Sequence, residues 1–129
     1  MVKKVSPKAP KKQRKLAHTA AIHANRRRLN CRLDEFLEEE YGLRSLPVKK
    51  GDLAKIMRGQ FRDTEGKVIG VDYADVSVYL DNATVTKADG KEANIPIHPS
   101  NLMLVKLELN DERKKLIEKK VMKIAESEE

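Results

Sequence analysis

Hydrophobic residues recur with two different periods along this chain, and the change between them divides it. From Asp52 to Leu109 apolar and polar positions alternate in short runs, which predicts strands at Asp52 to Met57 and Lys67 to Asp72 and through Val76, Val78 and Leu80. Further strands are expected at Ala83 to Lys87 and Ala93 to Ile97, with a last one in which Val105, Leu107 and Leu109 alternate with Lys106 and Glu108. Asp81 with Asn82, and Asp89 with Gly90, supply turn residues between these runs. Helical spacing appears on either side. Leu16, Ala20 and Ala24 suggest an amphipathic helix within Gln13 to Leu33, and Leu33, Phe36, Leu37 and Tyr41 a shorter one that Asp34 starts and Gly42 ends. Ile117, Val121 and Ile124 mark a C-terminal helix with Asp111 and Glu112 in its first turn.

Several short strands with no room for crossover helices predict a mainly β protein, a small antiparallel barrel whose closure protects its edges. The expected organisation is a basic extension over residues 1–44 carrying short helices that order on a partner, the barrel over residues 45–109, and an amphipathic helix with an acidic end over residues 110–129. Met1 to Lys12, rich in Lys and broken by Pro7 and Pro10, has too little apolar surface to offset the entropy of ordering and is expected to be disordered without a partner. The aromatic residues Phe36, Tyr41, Tyr73 and Tyr79 are expected in the core, with Phe61 as the loop-borne exception.

Charge changes this picture from a fold to a partner. Eleven basic residues precede the first carboxylate, Asp34, in a chain of 27 basic and 20 acidic residues, so the net charge of +7 comes wholly from the N-terminal segment. Such an arm repels itself and gains most from a polyanion, because neutralised phosphates release condensed counterions. Nucleic acid is the expected partner. If half of those cations met duplex-like phosphates, the logarithmic salt slope would be roughly −5, at ~0.9 per contact. No apolar run approaches a membrane span and no signal-peptide core follows Lys15, so neither membrane insertion nor export is expected. Cys31 is the single cysteine, which excludes an internal disulfide and fits a reducing, cytoplasmic setting.

Chemistry other than binding finds little support. His18, His23 and Cys31 lack a paired zinc-ligand spacing. Glu38 to Glu40 point in different directions on a helix, and no base or nucleophile stands beside them. The chain has no Walker loop and no zinc-protease helix, so no enzyme, cofactor or small-molecule substrate is expected. His98 has two readings, an RNA contact or a turn histidine bonded to backbone. The Ile117, Val121 and Ile124 stripe packs on its own domain or binds another protein.

The stretch from Lys50 to Asp72 reads as a strand, a basic glycine-bearing loop and a second strand, in which Gly59 and Gly66 let backbone approach a ligand and Arg58, Arg62 and Lys67 present charge. It resembles a KOW motif, the RNA-binding element of certain ribosomal proteins and transcription elongation factors. YGLRSLPVKKGD from Tyr41, KADG from Lys87, IHPSN from Ile97 and DERKK from Asp111 narrow the match. Together they are similar to the archaeal and eukaryotic family of large-subunit ribosomal protein twenty-four, twenty-six in older eukaryotic numbering, over about Lys11 to Lys120.

The resemblance implies an SH3-like barrel bound to large-subunit ribosomal RNA, in its 5′ domain, with a role in early assembly and a place near the peptide exit tunnel. It also implies neighbouring ribosomal proteins as partners, and a nucleolar stage of assembly in a eukaryote. Charge, loop placement and resemblance together nominate RNA-binding residues. In the extension they are Lys11, Lys12, Arg14, Lys15, His18, His23, Arg26, Arg27, Arg28 and Arg44. In and beside the hairpin they are Lys49, Lys50, Arg58, Gly59, Gln60, Phe61, Arg62, Gly66 and Lys67, followed by Lys87, His98, Ser100 and Asn101. Asp63 stands where the family usually has glycine, and its carboxylate argues against phosphate contact there. A KOW-type elongation factor and a basic DNA-binding chromatin protein are the rival readings.

Overall fold

The computed structural model describes residues 7–128. Helix α1 (Pro10–Thr19) holds Pro10 in its first turn, where the missing N–H loses no helical hydrogen bond, and the Gln13 side chain reaches back to the Pro7 carbonyl. Pro10 to Lys12, within the stretch expected to be disordered without a partner, belong to this helix, and residues 1–6 of that stretch lie outside the described residues.

The spacing of Leu16, Ala20 and Ala24 does not make one helix. Ala20 and Ala21 are extended, so α1 stops and a single turn, α2 (Ile22–Asn25), runs into a 3₁₀ turn (Arg26–Leu29) and strand β1 (Asn30–Leu33). Leu29, Cys31 and Leu33 are buried and alternate with exposed Asn30 and Arg32, a two-residue period that outweighs the longer helical spacing once there is a sheet to join. Helix α3 (Glu35–Tyr41) follows Asp34, which is extended but makes no side-chain cap bond, and ends at Gly42, whose φ of 65° is the left-handed closure that glycine allows. Leu37 and Tyr41 pack on the core, but Phe36 is 80% exposed and Leu33 belongs to β1, so the expected apolar face is halved.

The remaining strands are β2 (Ser45–Pro47), β3 (Leu53–Ile56), β4 (Glu65–Asp72), β5 (Ser77–Leu80), β6 (Thr84–Thr86), β7 (Glu92–Asn94) and β8 (Leu102–Lys106). Their main sheet runs β2-β1-β8-β3-β4-β5, with β6 and β7 forming a separate hairpin. The fold class is mainly β and SH3-like, as expected, but two details differ. The main sheet is open, ending at β2 and β5, instead of closing into a barrel. And β1 lies parallel to β8, while every other pairing is antiparallel. The segment after the hairpin covers part of the β5 edge through the Val78 to Ile97 bridge, and the hairpin itself turns at Gly90, whose φ is 87°.

Strand β8 sits between β1 and β3 and buries Leu102 and Leu104, not the expected alternation from Val105 to Leu109; Leu107 is buried beyond the strand end and Leu109 is exposed. Val76 reaches the core from the turn before β5 with a φ of 53°, so its burial offsets a backbone strain of about 1–2 kcal/mol. Phe61 packs against the core, reversing the expectation that it would be the exposed aromatic.

Helix α4 (Asp111–Glu128) starts where the Asn110 side-chain oxygen accepts the Arg113 N–H at 3.0 Å. Only Ile117 of the expected stripe is buried; Val121 and Ile124 are 39% and 41% exposed. What docks the helix is instead Arg113, 1% exposed, which meets the fully buried Asp52 just before β3. Its Nη2 donates to Asp52 Oδ2 at 2.8 Å and to the Pro47 carbonyl at 3.0 Å, while Nη1 donates to Asp52 Oδ1 and, at 3.2 Å, to the Glu108 carbonyl. Backbone N–H groups of Lys49 and Glu108 complete the shell of the carboxylate, at 3.0 and 2.9 Å. The helix is thereby fastened to the turn between β2 and β3.

Candidate nucleic-acid interface

The loop joining β3 to β4 is held open by its own backbone. Asp63 N–H donates to the Ile56 carbonyl and Ile56 N–H to the Thr64 carbonyl, at 2.8 and 2.9 Å, so the strands clamp its base. Phe61 anchors one side in the core, and Gly59, with a φ of 105°, turns the chain in a conformation that a side chain would strain. Arg58, Gly59, Gln60 and Arg62 are left exposed. Asp63 takes a left-handed φ of 65°, a conformation that glycine would take freely, and its carboxylate lies 3.8 Å from Arg62 Nε and 3.9 Å from Lys55 Nζ. It thus competes with any phosphate for those cations, although exposed pairs of this kind are worth under about 1 kcal/mol.

A second turn abuts this loop, since Met57 N–H donates to the Asn101 carbonyl at 2.8 Å. His98 Nδ1 accepts from the Ser100 N–H at 3.2 Å and lies 2.7 Å from Ser100 Oγ, which fits the turn reading of this histidine and leaves Nε2 on an exposed ring. Arg58, Ser100 and Asn101 come together with Arg32 around a groove of about 340 Å³. Arg32 was not nominated from sequence, since no site was assigned within Asn30 to Glu40; alternation in Leu29 to Leu33 was the available signal.

In the extension Lys11, Lys12, Arg14, Lys15 and His18 are exposed on α1, which buries no residue. His23 and Arg27 line one small recess, and Arg28 lines another between α1 and α2. Arg26 and Arg27 also meet half-buried Lys49 across a cleft of about 430 Å³ whose far wall carries Lys120 on α4. Lys120 was not nominated either, and partial burial lowers its pKa from the ordinary lysine value. Arg44, Lys50 and Lys87 are exposed on the α3–β2, β2–β3 and β6–β7 connections, and Lys67 on β4 beside Lys106.

Gly66 corrects the sequence reading. It is buried in β4, not in the loop, and a Cβ there would lie 2.8 Å from Asp81 Oδ1, so its smallness serves close packing instead of ligand approach. Cys31 is fully buried, and its thiol is pushed up from 9.0 to about 12, first by burial and then by Asp52, against the opposing pull of Arg113. It is neither a ready thiolate nor near enough to the surface to join the exposed His18 and His23. Among the described residues no cluster of three His, Cys, Asp or Glu side chains is placed to hold a metal ion, and no helix is long and apolar enough to cross a membrane.

Residues 7–120 match the family of ribosomal proteins described as L26 in eukaryotes and as the L24 type in archaea. The large ribosomal subunit protein uL24 of Methanosphaera stadtmanae is 48% identical over 83% of this chain and 92% of its own length. That of Korarchaeum cryptofilum is 44% identical over 91% and 90% respectively, and that of Methanosarcina barkeri 47% identical over 83% and 92%.

Proposed function

Because this chain belongs to the family of eukaryotic L26 and archaeal L24 ribosomal proteins, we propose that it acts as a structural constituent of the large ribosomal subunit by binding the subunit's RNA. It is a ribosomal protein and not an enzyme, and its place is in the ribosome in the cytoplasm. The observation that carries the binding reading is the match over residues 7–120, which spans the basic arm, the β3–β4 loop and the His98 turn in one family. That continuity favours the ribosome over an elongation factor or a chromatin protein.

In this reading three residue sets contact phosphate. The arm supplies Lys11, Lys12, Arg14, Lys15 and Arg26 to Arg28; the loop supplies Arg58 and Arg62; the turn supplies His98, Ser100 and Asn101, with Arg32 beside them. Double-stranded RNA hides its bases in a deep, narrow major groove, so such a surface reads backbone shape, junctions and unpaired bases. The target is the 5′ domain of the large-subunit RNA, engaged early in assembly near the tunnel exit, with neighbouring ribosomal proteins alongside. In a nucleated cell that step falls in the nucleolus.

The test is titration of the full chain against a 5′-domain transcript of its own ribosomal RNA and against duplex DNA of equal length, over a range of salt. The expected result is preference for the RNA and a logarithmic salt slope of roughly −5. Equal affinity for both, or a slope near zero, overturns the proposal.

A further inference from the structure

We propose that the cleft between the 3₁₀ turn after α2 and helix α4 receives a single unpaired RNA base, with the flanking phosphates held by the cations on its rim. This subsite deepens the ribosomal-RNA reading and rests on it, but lies apart from the β3–β4 loop and needs a different kind of contact. Its volume of about 430 Å³ falls within the roughly 300–1,000 Å³ typical of small-ligand pockets. The lining is mainly apolar, with Leu29, Val48 and Leu116 beside Tyr73, so it suits a flat, largely apolar ring.

Charge selects the occupant. Arg26, Arg27, Lys49 and Lys120 stand around the cleft against one carboxylate, Glu112, which makes it far better matched to an anionic nucleotide than to an apolar side chain of another protein. Lys120 is already partly desolvated, and a phosphate would restore the charge partner that burial denies it. Glu112 offers an acceptor for an N–H on the base edge. An aromatic ring next to arginine and lysine is the usual means of holding a splayed-out base, and it tolerates any base because each has a π face. The walls are held in place by the Arg113 bond to the Pro47 carbonyl, which joins α4 to the strand opposite.

The experiment is chemical probing of the 5′-domain transcript with the full chain and three variants. Leu116→Trp fills the half-buried wall while keeping every cation; Tyr73→Ala removes the stacking ring; Tyr73→Phe keeps it. With wild type and Tyr73→Phe, one unpaired nucleotide outside the footprint of the β3–β4 loop should become protected. With Leu116→Trp that nucleotide should return to its free reactivity, and affinity should fall roughly tenfold at an unchanged salt slope, the scale of one lost base–aromatic stack. Tyr73 also packs on the core, so Leu116→Trp decides the matter if Tyr73→Ala unfolds. Wild-type protection and affinity persisting in Leu116→Trp overturn the cleft proposal alone. Failure of the wild-type chain to bind the transcript at all overturns the ribosomal-RNA reading with it.

Discussion

Arg113→Met tests whether one buried ion pair fastens the C-terminal helix to the sheet. The guanidinium has five N–H donors and makes four hydrogen bonds: two to the carboxylate of Asp52 and one each to the carbonyls of Pro47 and Glu108. Methionine of similar length fills the space but donates nothing. The carboxylate, 0% exposed, then keeps only the Lys49 and Glu108 N–H groups, and two carbonyls lose their partner. Stripping one partner from a buried pair costs about 3–5 kcal/mol, a large share of the about 5–15 kcal/mol that holds a typical domain together.

Urea unfolding followed by circular dichroism should show the unfolding free energy fall by that amount, and the midpoint by that amount divided by a similar slope. Asp52→Asn with Arg113→Met removes both charges, so the pair should lose less than the sum of the single changes, by about 1–3 kcal/mol of coupling. Arg113→Met remaining within about 1 kcal/mol of wild type, or strictly additive changes, would show that helix α4 is held by Ile117 and its neighbours instead.

Three further outcomes follow from particular residues. Asp63→Gly should leave stability within about 1 kcal/mol of wild type, since relief of the left-handed strain is offset by the looser unfolded chain, while RNA affinity at low salt rises two- to fivefold, about 1 kcal/mol at most; weaker RNA binding in a titration would contradict the competing role of that carboxylate. Gly66→Ala should cost about 1–3 kcal/mol in thermal unfolding, because the new methyl group meets Asp81 Oδ1, which accepts the Lys67 N–H at 2.9 Å; an unchanged melting temperature refutes the packing role. The Cys31 thiol, raised from 9.0 to about 12, favours the folded state fully below 9 and loses that contribution as pH climbs toward 12; iodoacetamide should label it in urea but not in the native chain at about pH 8.5, and rapid native labelling would show that β1 opens.

Much of the candidate surface was legible because it depends on charge and local turn chemistry. Arg58, Gly59, Gln60 and Arg62 are exposed in the loop where alternation on either side placed it, and Gly42 and Gly90 end α3 and turn the hairpin with the positive φ their type predicts. Arg32 and Lys120 escaped notice for a different reason. One lies on a short strand that meets Arg58, Ser100 and Asn101 only through the fold, and the other joins its cleft only because a distant arginine docks α4.

Composition and periodicity by themselves determined a mainly β chain with helical ends, a cationic arm and a basic loop, since these features arise from neighbours within a few residues. Tertiary structure alone decided that β8 threads between β1 and β3, that the sheet stays open, that Gly66 packs and Phe36 does not, and that Asp52 meets Arg113. Each of those turns on contacts between segments far apart in the chain, where strand pairing and burial of a charge outweigh local preference.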